Sequence, residues 1–199
     1  MSLSRRSVLL LPLAFAACGP TEPANYEALS WDYLPPIPLN VGLIEVEQRF
    51  FPSGFSPDVT AQAPVKPVEA LRTMASDRLR SFGTKDKAVF VIQDASLTRR
   101  DGTIVANLGV TLTILREGGE RAGYVEARVS RREQGGSGSL RYNLYQTVKS
   151  MMDQMNVELE FQIRRNLKDY LTEPTAAPVA VEQAPLGQPT PLLSPLPRS

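Results

Sequence analysis

The 199-residue chain has no histidine. That excludes a Ser-His-Asp or Cys-His catalytic set and any histidine-ligated metal. Its one cysteine, Cys18, excludes an intramolecular disulfide and a CxxC site. An excess of one charge is missing too: 22 Lys and Arg stand against 21 Asp and Glu. A nucleic-acid binder carries a clear basic excess, so no nucleic-acid partner is expected. Proline is absent between residues 68 and 173, although the chain holds 17. Such a gap marks a regular, hydrogen-bonded body, because proline breaks helices and central strands alike. With 42% hydrophobic and 22% charged residues, one globular domain with appendages is expected.

The most specific signal is at the N-terminus. Arg5 and Arg6 precede an apolar stretch, Val8 to Phe15, broken only by Pro12. It is shorter than the roughly 20 apolar residues a spanning helix needs, and it reads as an export signal. Phe15-Ala16-Ala17-Cys18 resembles a bacterial lipobox, with Phe15 where leucine is usual. The resemblance implies cleavage before Cys18 and acylation of that residue, palmitate included, so that several acyl chains give a stable anchor. Ser4 to Leu9 also resembles a twin-arginine signal. Gly19 stands where aspartate would mark inner-membrane retention, which implies the periplasmic face of the outer membrane. Cleavage removes two arginines and no acid, leaving the mature chain slightly acidic. The expected layout is a signal peptide over 1–17, a proline-rich tether over 18–38, an α+β domain over 39–172 and a disordered proline-rich tail over 173–199.

Within the body the hydrophobic period changes in a definite order. Residues 41–50 alternate as a strand, with Ile44, Val46 and Phe50 on one face. Residues 67–82 carry Val68, Leu71, Ala75, Leu79 and Phe82 at helical spacing, with Pro67 in the first turn and Gly83 as the stop. Three strands follow over 88–98, 103–115 and 122–131. The run Ala88 to Ile92 suggests a central strand covered on both faces. Asp101-Gly102 and Gly118-Gly119 supply turns. Residues 103–115 alternate cleanly, with Ile104, Ala106, Leu108, Val110, Leu112 and Ile114 pointing one way. A glycine-rich loop over 135–138 leads into a long helix over 139–171. Its stripe is Leu144, Val148, Met151, Met155, Leu159, Ile163, Leu167 and Tyr170, and Glu160 and Arg164 form an i,i+4 pair. The order β-α-β-β-β-α predicts a two-layer α+β sandwich: a mostly antiparallel four-stranded sheet with two helices on one face.

Each candidate site has a plain structural alternative. The 135–138 loop precedes a helix N-terminus as a phosphate loop would, but it lacks the Walker lysine and a GxGxxG spacing, so it reads as a linker. Asp77, Asp86, Asp94, Asp101, Glu126 and Asp153 are the carboxylates a histidine-free hydrolase would draw on, yet no pair stands out. Phe50, Phe51 and Phe55 flank a turn after the first strand. With Tyr26, Trp31 and Tyr33 upstream, they are a candidate patch for docking a partner or touching a membrane, or else they cap the core. Met151, Met152 and Met155 either line an adaptable apolar groove or fill the core. The pairs Arg99-Arg100, Arg131-Arg132 and Arg164-Arg165 either meet anionic headgroups or are solvated surface. No metal, cofactor or catalytic residue is expected.

The signal and element order together resemble small envelope lipoproteins, chiefly the ABC-type transport auxiliary lipoproteins. The lipopolysaccharide-assembly lipoproteins and penicillin-binding-protein activators are similar in architecture. Leu39-Asn40-Val41, Ile44-Glu45-Val46, Ile92-Gln93-Asp94-Ala95-Ser96, Met155 to Glu160 and Ile163-Arg164-Arg165 resemble a proteobacterial lipoprotein family without known chemistry. The resemblance spans residues 39–171. It implies a non-enzymatic, membrane-anchored binding or scaffold lipoprotein, an accessory of an envelope lipid-transport complex, with lipid as a candidate ligand. An activator of a cell-wall synthase and a carboxylate-dependent periplasmic hydrolase are the alternatives.

Overall fold

The computed structural model describes residues 23, 25–136 and 138–172. The expected signal peptide, Cys18, the start of the expected tether, Ser137 and the expected tail over 173–199 lie outside the described residues. Six strands and two α-helices follow in the order β1 (Ile37–Leu39), β2 (Leu43–Gln48), α1 (Pro67–Arg78), β3 (Leu79–Ser81), β4 (Lys87–Arg100), β5 (Thr103–Leu115), β6 (Arg121–Gln134) and α2 (Leu140–Asn166). The main sheet has the order β2-β4-β5-β6, with β2 parallel to β4 and the other pairs antiparallel. Both helices pack on one face, which gives the expected α+β layering.

The chain from 37 to 48 runs parallel to that from 79 to 92, in two registers. Ile37 lies opposite Leu79, and Leu43 lies opposite Lys87. The slip between them is taken up around Gly42 and Gly83. A Cβ on Gly83 would lie 2.7 Å from the carbonyl carbon of Asn40 and from the nitrogen of Val41. Helix α1 therefore ends earlier than its apolar spacing predicts. Leu79 is already extended, although its N–H still bonds Ala75 O. From there the chain spends its hydrogen bonds on β1, so tertiary pairing overrides helix propensity. Leu79 stays buried as a strand residue, whereas Phe82 is exposed.

Strand β4 changes parity midway. Ala88, Phe90 and Ile92 face the helices, and so do Ala95 and Leu97; the register shifts between Ile92 and Asp94. One extra residue on one strand of a pair does this. Its partner β5 keeps a single alternation throughout, as its sequence predicts. The expectation that the run 88–92 is covered on both faces is corrected. Among the described residues no helix lies over Val89 and Val91; they are buried at a shallow groove shared with Glu47, Arg49, Lys87 and Tyr124. Longer side chains on neighbouring strands shield them.

Ser139 caps α2, its hydroxyl accepting from Tyr142 N–H at 3.2 Å. The helix stops at Asn166, and a 3-10 turn follows over Lys168–Tyr170. Residues 170–172 then add to β1: Asn40 N–H donates to Tyr170 O at 2.7 Å, and Thr172 N–H to Pro38 O at 3.1 Å. At the other end of the chain, Trp31 and Ile37 are buried in the core. The later part of the expected tether is thus a strap packed on the domain.

Replacing Gly83 with Ala pushes a methyl group into backbone that cannot move aside. We expect a loss of about 1–3 kcal/mol, read as a lower denaturant midpoint at constant m-value. An unchanged midpoint would contradict the close approach of the two parallel segments.

Candidate functional site

The domain presents two surfaces: an end where three loops meet, and the open face of the sheet. The end is built first by residues 49–60. After β2 the chain climbs along β4 and turns back, so that Asp58 lies opposite Thr98. Val59 N–H donates to Leu97 O, and Arg99 N–H to Pro57 O, each at 2.8 Å. Thr60 is buried, and its hydroxyl accepts from Leu97 N–H at 2.9 Å. The Ser56–Pro57 peptide is cis.

The Asp58 carboxylate holds the turn. It accepts from the Ser53 N–H at 2.6 Å, the Ser53 hydroxyl at 3.0 Å, the Gly54 N–H at 3.3 Å and the Thr60 N–H at 2.8 Å. Partial burial pushes its pKa up, but the hydrogen bonds from Thr60 and Ser53 outweigh this and bring it down to about 2. Of the three phenylalanines, Phe50 is half-buried against the core. Phe51 and Phe55 are 73% and 80% exposed.

The β4–β5 hairpin tip and the start of α2 complete this end. Gly135 N–H donates to Gly102 O at 2.9 Å, joining the glycine-rich loop to the tip. The Asn143 side chain donates to Gly136 O and Gly138 O, both at 3.3 Å. Glu133 lines the depression beside this loop, a carboxylate where phosphate binding needs a cation. The loop is a latched linker.

The strap runs along α2 from this end toward the other. Tyr26 packs on Tyr145, with ring centroids 5.0 Å apart, under the Arg141 guanidinium at 5.8 Å. Trp31 N–H donates to Asp77 at 2.8 Å. Arg78, 2% exposed, then donates to both Pro35 O and the Glu160 carboxylate. The sequence reading missed Arg78, though it lies in register with Leu71 and Ala75 on the apolar stripe, a placement that signals a buried, partnered charge.

The remaining candidates take structural positions. Asp77 pins the strap. Asp86 and Asp101 occupy turns with positive φ. Asp94 accepts from Ser96 N–H at 3.0 Å beside the bulge. Glu126 pairs with Arg128 and accepts from the Tyr124 hydroxyl at 3.4 Å. Asp153 lines a depression with Lys149 and the strap. Met151, Met152 and Met155 are fully buried in the core, so the three do not line an open groove. Arg131 pairs with Glu133, Arg164 pairs with Glu160, and Arg165 lies 5.9 Å over Phe161. Arg99, Arg100 and Arg132 are exposed. Among the described residues no group of three or more acidic or cysteine side chains is placed to hold a metal, and no helix is long and apolar enough to cross a membrane.

On the open sheet face, cross-strand register brings Glu45, Val89, Thr113 and Tyr124 into one rung, with Leu43, Lys87 and Leu115 in the next. Leu43 and Tyr124 are exposed. Tyr124 lies 5.6 Å from the Arg121 guanidinium. Its pKa is raised, first by desolvation and then by the neighbouring Glu126 carboxylate.

No known family matches the sequence, and no curated protein does either. Among solved structures, a candidate lipoprotein from Caulobacter crescentus is similar at 13% identity over 61% of this chain and 85% of its own, with a TM-score of 0.34. A minor lipoprotein from Acinetobacter baumannii is similar at 13% identity over 63% of this chain and 95% of its own, with a TM-score of 0.32. A lipoprotein from Neisseria meningitidis is similar at 9% identity over 60% and 96%, with a TM-score of 0.25. Likenesses this distant carry no argument about function.

The depressed Asp58 pKa has a definite sign. Its contribution to stability is complete above the ordinary aspartate value near 4 and is lost as pH falls toward about 2. Asp58→Asn therefore flattens the stability profile between pH 4 and 2 and speeds proteolysis between Ser53 and Pro57. An unchanged acid profile would contradict the clamp.

Proposed function

We propose that this chain is an envelope lipoprotein, anchored through acylated Cys18 on the periplasmic face of the outer membrane. Its α+β domain is a non-catalytic docking module for a lipid-transport complex. The observation that supports docking best is the sheet face that neither helix covers. Leu43, Leu115 and Tyr124 provide apolar surface there, interleaved with Lys87, Glu45 and Glu126. An apolar patch rimmed by charges suits a reversible protein contact. Tethering raises the effective concentration of that face near a membrane-bound partner without any new contact.

The carboxylates of the hydrolase alternative support this reading in another way. Asp77, Asp94, Asp101 and Glu126 are spread over α1, β4, a hairpin tip and β6, each with a local structural role.

A photo-crosslinking residue in place of Tyr124, in the native acylated protein, should capture a subunit of an envelope lipid transporter. The Leu43→Ser variant should reduce that yield while the fold is retained. Capture of a cell-wall synthase at this position would replace the transport reading. Normal processing and membrane retention of Cys18→Ser would refute the anchor.

A further inference from the structure

We propose that the end of the domain formed by the Ser53–Pro57 turn, the β4–β5 hairpin tip and the start of α2 lies on the anionic phospholipid headgroups of the leaflet that holds the anchor. This rests on Cys18 being acylated, and it fixes the orientation of the domain.

The course of the strap is the first argument. Tyr26 is held at the start of α2 by Tyr145 and Arg141, and it lies only eight positions after Cys18. Eight residues span at most roughly 28 Å. The opposite end of α2, 27 residues long, lies about 40 Å away along the helix. An anchor at Cys18 therefore draws the loop-bearing end to the bilayer. Residue 172 lies beside Pro38 at the other end of the strap.

The chemistry of that end is the second argument. Arg99, Arg100, Arg132 and Arg141 are exposed there, and none of them is ion-paired among the described residues. The acids nearby do not cancel them. Asp58 is turned into its own loop, and Glu133 is held by Arg131 and Thr147. Asp101 at the tip and Glu27 on the strap are exposed. Phe55 lies level with the tip, because Pro57 is bonded opposite Arg99. An exposed aromatic ring among unpaired guanidinium groups is what an anionic lipid interface accepts.

The test uses the full acylated protein with one added thiol, Ser56→Cys at this end or Glu117→Cys at the other, each carrying an environment-sensitive fluorophore. Each is reconstituted into phosphatidylcholine vesicles with phosphatidylglycerol and a nitroxide-headgroup lipid. The Ser56 label should be quenched and the Glu117 label should not. The difference should shrink in pure phosphatidylcholine, and in the Arg99→Glu/Arg100→Glu and Phe55→Ser variants, where the short link alone holds this end near the bilayer. Equal quenching at both positions on phosphatidylglycerol vesicles would overturn the orientation, although the protein still floats with the vesicles. Failure to float would overturn the acylated anchor itself, and the proposal with it.

Discussion

The last turn of α1 is where the structure is tied together. Arg78 is a fully buried cation that bonds the Pro35 carbonyl of the strap and the Glu160 carboxylate of α2. Beside it, Asp77 accepts from Trp31 N–H. Two adjacent residues thus hold the strap, the crossover helix and the long helix. A buried charge of this kind adds little net stability, but removing one partner leaves the other uncompensated, at a cost of about 3–5 kcal/mol. Glu160 is partly exposed, so water can compensate it when Arg78 is lost, whereas loss of Glu160 leaves the buried guanidinium without its counter-charge. The strap cannot leave this site without stranding the guanidinium.

That tie has a functional consequence. A strap held at Tyr26, Trp31 and Pro35 removes the freedom a proline-rich tether would otherwise give the domain. The link from Cys18 to the folded body shrinks from the twenty positions between Cys18 and Pro38 to the eight between Cys18 and Tyr26. A short link orients a domain, whereas a long one only confines it. In the proposed orientation the basic, aromatic end faces the anchor, and the C-terminal end of α2 faces away. The open sheet face runs between them and stays available to a partner.

Much of this fold was legible in the sequence. The alternation of 103–115 and the stripe from Leu144 follow from period alone; the strand formed at its expected bounds, whereas the helix expected to reach 171 ends at Asn166, with Tyr170 in a separate 3-10 turn. What was illegible depended on pairing across distance. Leu79 reads as the next helical residue after Ala75, and only β1 makes it a strand. The short Ile37–Leu39 strand lies inside a proline-rich stretch and carries no alternation of its own. The bulge near Gln93 hides in an apolar run, because period is lost where parity changes. At the candidate site, Phe51 and Phe55 were visible as an aromatic cluster, but their exposure depends on Asp58, whose spacing from Ser53 and Thr60 is an ordinary turn pattern. The open-face residues Leu43 and Tyr124 gave no signal, because nothing local says that no helix will cover them.

The claim on which the rest depends is that the strap is docked along α2. Spin labels at Asn25→Cys and Gln146→Cys in the full acylated protein measure this directly by pulsed electron resonance, with Asn25→Cys and Arg164→Cys as the reference pair. The account predicts a narrow distribution for the first pair, at a clearly shorter distance than for the second. A broad distribution for Asn25 and Gln146, or one no shorter than the reference, would contradict the docked strap and the orientation that follows from it.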